Sequence, residues 1–365
     1  MAQFQSPTNQ AHHVSAPYTV RYSPQLPELL SQLNISLAIS TYQAGKVIFL
    51  SPKGNESLIQ LPRNFNQAMG IGLDKHKMVI ATKDEVISLR NSLELARSYP
   101  QKPDTYDALF IPRTTYYTGQ IDIHDIDFGV DGIYAVNTSF SCVVKIDGEF
   151  SFTPVWTPPF ISNLVSEDRC HLNGMALENG LPKYVTALGR GNSFQSWRDH
   201  IASGGVIMDV DSSEVITQNV PMPHSPRIWN GELFVLHTAT GELVCVDKNT
   251  GQHQVVFKQD GFLRGMDRYD DYAFIGMSKL RKNSSAFSQL EISRKSNRAG
   301  VVVVHIPTGV AVGEIVYENS VDEIYDVKVL EGVTRPNILN TMRDDHKLAL
   351  QTPGHTFWAQ PNQNQ

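Results

Sequence analysis

His124, His171 and His224 each stand at the head of a short apolar run, in Ile123-His124-Asp125-Ile126, His171-Leu172-Asn173-Gly174-Met175 and Pro223-His224-Ser225-Pro226-Arg227. Two or three imidazoles with a carboxylate in one concave site suit a divalent transition metal such as zinc, iron or manganese. Glu323 is the carboxylate candidate, as a fourth ligand or as a base. Arg264 and Arg227 carry the guanidinium fork that pairs with carboxylate, sulfate or phosphate, and Asp125 flanks the same positions. Gln67 and Asn173 are candidate substrate contacts, and Tyr42-Gln43-Ala44-Gly45-Lys46 offers Tyr42 and Lys46 as polar groups over the site. The competing reading is structural: histidines at strand starts satisfy turns and backbone groups, and arginines brace neighbouring strands through carbonyls. Cys170 precedes His171 directly, and adjacent strand residues point to opposite faces, so His171 is badly placed to activate that thiol.

Residues this far apart need a repeated element to bring them together. One short unit recurs: a polar residue, a small residue or Asp, an apolar residue, then a strand running into a turn. It appears at Gln67, His124, Asn173, His224, Arg264 and, less cleanly, Glu323, with successive units 40 to 59 residues apart. That spacing brackets a four-stranded propeller blade of about 40–50 residues. Within one repeat, ELFVLHTATGELVCVDKNTGQHQVVF reads as three strands joined by turns at 239–242 and 247–251.

The expected fold is therefore all-β, a six-bladed β-propeller in which the six polar positions form a ring at one end of the channel. His171, two residues before Asn173, should lie one layer from that ring. Residues 35–62 have strands without an inner partner, whereas the last unit has little chain left, so 35–62 and 321–340 are expected to share a blade. The Gln-, Ser- and Pro-rich stretch 1–27 reads as a disordered tail, 28–344 as one propeller domain, and 345–365 as a flexible tail.

Charge and motifs remove several classes of function. With 31 Lys and Arg against 37 Asp and Glu, scattered rather than clustered, no nucleic-acid partner is expected. No run approaches the roughly 18 apolar residues of a membrane span, so no membrane partner is expected. Three cysteines without CxxC spacing, and no apolar leader, point to reduced thiols in a cytoplasmic protein. Gly45-Lys46 lacks the rest of a P-loop and Gly70-Ile71-Gly72 lacks the third glycine of a dinucleotide fingerprint, so no nucleotide cofactor is expected.

Nine stretches carry a more specific likeness: TYQAGK (41–46), IHDI (123–126), VNTSFSC (136–142), PVWTPPFIS (154–162), EDRCHLNGMA (167–176), PHSPR (223–227), GFLRGM (261–266), FIGMSKLR (274–281) and DEIYDV (322–327). On these the chain resembles a bacterial family of uncharacterised conserved hypothetical proteins, which implies no activity. More remotely, it is similar in architecture to the gluconolactonase and strictosidine synthase-like propellers and to the peptidyl-hydroxyglycine amidating lyase. That lyase holds zinc with three histidines from different blades, an arrangement that His124, His171 and His224 resemble. The gluconolactonase ligand pattern is poorly matched, because His124 and His224 replace oxygen ligands. The expectation is a metal-dependent enzyme, of lyase, hydrolase or oxygenase type, acting on a small anionic or peptide-like substrate. The alternative is a non-catalytic propeller that binds a ligand or partner protein.

Overall fold

The computed structural model describes residues 16–280, 287 and 290–360. Arg281, the last residue of the FIGMSKLR stretch, lies outside them. Six antiparallel sheets surround one axis, and the inner strand of each packs against the inner strand of the next. From the inside outward, blade 1 is Asp326–Glu331, Ile35–Thr41, Lys46–Lys53 and Ser57–Asn64. Blade 2 is Ile71–Asp74, Lys77–Ala81, Glu85–Asn91 and Ala108–Tyr117; blade 3 is Ile123–Phe128, Ile133–Asn137, Cys142–Ile146 and Thr153–Trp156. Blade 4 is Leu172–Glu178, Leu181–Ala187, Gly205–Asp209 and Val215–Val220; blade 5 is Pro223–Trp229, Glu232–His237, Glu242–Val246 and His253–Lys258. Blade 6 is Phe262–Tyr269, Tyr272–Ser278, Ala299–His305 and Val310–Tyr317.

Middle strands face a neighbouring blade on both sides and are buried almost throughout: Ile35–Thr41 at every position, its three hydroxyl residues included, and Ala299–His305 at all but its last. Outer strands such as Ser57–Asn64 and Thr153–Trp156 are half exposed and more polar. The turns of blade 5 fall where the sequence places them. Gly241 takes a left-handed φ of 69°, and the Asp247 carboxylate accepts the N–H groups of Asn249 and Thr250. No helix among the described residues is long and apolar enough to cross a membrane.

Blade 1 closes the ring as expected, with Asp326–Glu331 paired antiparallel to Ile35–Thr41. The window 321–340 is too wide, however, because Pro336–Ile338 leaves blade 1 and pairs in parallel with Ala108, Leu109 and Phe110 on the outer edge of blade 2. Parts of both expected tails are also structured. Val20–Tyr22 adds a fifth strand to blade 6, and the helix Leu26–Leu33 buries Leu26 and Leu30 in the core shared by blades 6 and 1. Ala349–Thr352 and His355–Trp358 form a hairpin whose Trp358 packs on Tyr99. Val20–Tyr22 and Pro336–Ile338 cover outer sheet edges that would otherwise be open, a constraint that polar composition does not reveal.

Neighbouring blades are latched near the axis by side chains that reach across each junction. A hydroxyl at the end of a second strand donates to the carbonyl where the next blade begins: Ser40 to Met69, Thr138 to Leu172, Thr238 to Leu263 and Ser278 to Ile324. Between blades 4 and 5 the latch has one more part, since Thr186 donates to the Asn173 side chain and Asn173 donates to the Pro223 carbonyl. A second set accepts the next blade's N–H: Asp125 from Met175, Asp267 from Val329, Asp326 from Ile71 and Ser225 from Gly265.

The junction of blades 2 and 3 works differently. Thr82 donates within its own turn to Glu85, and the backbones approach closely at two glycines instead. A Cβ on Gly72 would lie 2.8 Å from both the Asp127 Cα and the Val79 Cγ1. Gly72→Ala is therefore expected to lower unfolding free energy by about 1–3 kcal/mol, as overpacking in a rigid core does. Denaturant melts of the two proteins check this, and an unchanged midpoint would contradict the close-approach account.

Candidate functional site

At the end of the channel where the inner strands begin, the blades enclose a cavity of about 310 Å³. Its wall brings together Tyr42, His124, His171, His224, Arg264 and Glu323 from blades 1, 3, 4, 5 and 6 and the segments leading into them. Asp122, Asp168, Arg198, Ser278, Lys279 and Tyr325 add to its polar lining.

His124 and His224 are held by the same local device, repeated in blades 3 and 5. Two residues upstream, Asp122 and Met222 take left-handed φ angles of 55° and 54°, and their carbonyls lie 3.2 and 3.1 Å from the imidazole Nδ1. Thr138 Oγ1 and Thr238 Oγ1 each stand 2.9 Å from the same nitrogen. Both threonines already spend their proton on the next blade, at 2.6 Å to the Leu172 carbonyl and 2.7 Å to the Leu263 carbonyl. With only acceptors around it, Nδ1 must carry the ring proton, which leaves Nε2 as the basic nitrogen.

His171 reaches that state by another route. Its Nδ1 lies 3.0 and 3.1 Å from the two oxygens of Asp168, an acceptor-only partner. Asp168 is steadied in turn by Trp197, whose Nε1 donates to Oδ2 at 3.0 Å and whose indole packs on the His171 ring with centroids 4.3 Å apart. His171 also meets His124 edge to face at 4.7 Å. Arg264 lies flat over Tyr325, its guanidinium carbon 3.5 Å from the ring centroid, and Nη1 is 3.5 Å from Glu323 Oε1.

Several sequence-predicted residues sit elsewhere. Arg227 and Asp125 lie below the cavity in a buried bidentate pair, with Nη1–Oδ2 at 2.8 Å and Nη2–Oδ1 at 3.3 Å. Because Arg227 belongs to blade 5 and Asp125 to blade 3, the pair crosses the channel, and Arg227 also approaches Asp326 of blade 1 at 3.8 Å. Asn173 is absorbed by the latch between blades 4 and 5. In blade 4 a left-handed His171 (φ 50°) and a register shift between Leu172 and Gly174 reset the strand's alternation. His171 therefore joins the cavity wall rather than lying one layer away. Gln67 is half-buried outside the cavity, and Lys46 pairs with Asn64 over a separate cleft bordered by Asp84 and Glu85.

Sequence reasoning did not pair Thr138 with His124 or Thr238 with His224, nor Asp168 and Trp197 with His171. The detectable signal was the shared spacing of His124 to Thr138 and His224 to Thr238, 14 residues in both cases. Cys142 and Cys170 are buried thiols whose pKa burial pushes up to about 12, so neither is a nucleophile near neutral pH.

Residues 24–339 match the family described as Domain of unknown function (DUF4915), and the chain belongs to that family. No curated protein matches the sequence. Among solved structures, a chain in the crystal structure of a nidogen/laminin complex is similar with a TM-score of 0.50 and 10% identity, covering 82% of this chain and 99% of that chain. At that identity the likeness concerns the fold alone.

His224 is fully enclosed, and its pKa is driven well below the usual histidine value by burial, then by Arg264 and by the imidazoles of His171 and His124. A histidine kept neutral in the folded state contributes stability above its unfolded pKa of about 6.5 and loses it as pH falls, because only the unfolded chain takes up the proton. Wild-type stability minus that of His224→Gln should thus shrink as pH is lowered from 7 toward 5. Denaturation midpoints at several pH values measure it; a difference that stays constant would contradict the neutral, buried assignment.

Proposed function

We propose that this member of the family is a metal-dependent enzyme acting on a small anionic or peptide-like substrate in the channel-end cavity. One observation carries the reading. Three imidazoles from successive blades each give the Nδ1 proton to oxygen, as metal-ligating histidines do, and so present Nε2 as a lone pair. His124, His171 and His224 would hold zinc, iron or manganese, and the bound ion would polarise a substrate oxygen or acidify a water.

The chain's own residues supply the rest. Asp168 fixes the tautomer and orientation of His171. Arg264 faces the cavity as the grip for an anionic group, and Glu323 beside it is the candidate proton acceptor. The reaction stays within lyase, hydrolase or oxygenase chemistry. The free thiols Cys142, Cys170 and Cys245 fit a protein of the reducing cytoplasm.

A second reading has its own support. Among the described residues, no three His, Cys, Asp or Glu side chains already stand together as a metal cage. That favours a non-catalytic propeller which binds a ligand or partner at the same face.

Elemental analysis of untagged protein, purified without chelator, separates the two. The enzyme reading expects near-stoichiometric transition metal, lost in His124→Ala and His224→Ala while both variants still melt cooperatively. No metal, and none taken up on reconstitution, would reject it in favour of the binding propeller.

A further inference from the structure

The cavity has two unlike sets of lining residues. Besides histidines and carboxylates, its lining includes Leu188, Phe262 and Phe287, with the Trp197 indole packed on His171 between the two sets. The apolar set is the edge of a hydrophobic cluster that also contains Met222, Leu290 and Ile292. It is built by two long excursions, which follow the second strands of blades 4 and 6, whereas the corresponding turn of blade 5 spans only residues 238–241. Apart from the Trp197 hydrogen bond to Asp168, none of the proposed acid–base or metal chemistry uses these apolar residues.

Arg264 adjoins both sets. It follows Phe262 by two positions on the same inner strand, and the Phe262 ring lies 6.4 Å from that of His224. Among the described residues the guanidinium's one acceptor is Glu323, at the 3.5 Å limit of a hydrogen bond. Among the described residues its other N–H groups have no protein acceptor, although the side chain is only 13% exposed. A nearly buried guanidinium with donors to spare and an aromatic face beside it is matched by an anion attached to an apolar body.

We infer that the substrate is an amphipathic anion, a compact carboxylate or similar group on Arg264 with an aliphatic or aromatic body against Phe262, Leu188 and Trp197. Phe262 is then the residue that determines specificity. The inference rests on the active-site reading above, and the cavity, at about 310 Å³, is at the small end of ligand pockets.

Calorimetric titration of the full chain with acetate, butanoate, hexanoate and phenylacetate, and with hexanamide as the uncharged control, tests it. Affinity should rise about fourfold for each methylene buried. Phe262→Ala should flatten that dependence while leaving acetate unchanged, and Phe262→Trp, which fills the space, should reverse it. Arg264→Gln should weaken every carboxylate and leave hexanamide unaffected. Hexanoate binding no tighter than acetate, hexanamide binding as well as hexanoate, or no carboxylate binding at all would overturn the inference. Metal content of the same samples keeps the two ideas apart. Chain-length dependence in a protein that takes up no metal retains the amphipathic anion and rejects the metal; full metal loading without that dependence does the reverse.

Discussion

The hydroxyl latch at the blade junctions is the interaction on which the rest of this molecule depends. A propeller brings the starts of its inner strands together around an axis where backbone groups are buried and sheet hydrogen bonding has ended. Each carbonyl stranded there must be satisfied from the neighbouring blade, or cost about 1–3 kcal/mol. Ser40, Thr138, Thr238 and Ser278 meet that need directly, and Thr186 does so through Asn173. At two junctions the same hydroxyl performs a second task. Once Thr138 and Thr238 have donated to the next blade they can only accept, so they dictate which nitrogen of His124 and His224 carries the proton. Fold and site chemistry are joined at one oxygen atom.

Beneath the cavity, the channel is crossed by charge. Arg227 and Lys328 lie buried among Asp125, Asp127, Asp267 and Asp326. Burial pushes the Asp326 pKa up, against the pull of Lys328 and Arg227. Desolvation works against the Lys328 ammonium, but Asp326 and Asp127 outweigh it and its pKa is raised. Such networks add little net stability compared with an apolar core, and breaking one partner is costly. Here the carboxylates of Asp125, Asp267 and Asp326 also accept backbone N–H groups across junctions, which ties inner-strand register to the ion pairs.

Much of the architecture was legible in the sequence because blades repeat. A polar residue recurring ahead of an apolar run at blade-length intervals fixes the number of blades and places His124, His224 and Arg264 at one end of the channel. Legibility failed where a single residue changes phase. The left-handed His171 exchanges places with Asn173, a distinction that strict alternation cannot express. Arg227 is as polar as Arg264 and lies three residues past the repeat position His224, yet it points across the axis to a carboxylate two blades away. No local pattern carries that information. Trp197 belongs to an excursion outside the repeat, so its contact with Asp168 emerges only in three dimensions. The outer strands Val20–Tyr22 and Pro336–Ile338 are too short to show periodicity and are defined by the edges that they cover.

The central claim is that the latches place the ring proton of His124 and His224 on Nδ1, as Asp168 does for His171, and leave Nε2 as the basic nitrogen. Long-range ¹H–¹⁵N correlation spectra of histidine-labelled protein, assigned by single-histidine variants, report the tautomer and charge of each ring directly. The account predicts a proton on Nδ1 of His124, His171 and His224, and a neutral ring for His224 near neutral pH, with the signal of His124 altered in Thr138→Val and that of His224 in Thr238→Val. An Nε2–H tautomer at His124 or His224, or a protonated His224 ring near neutral pH, would contradict it.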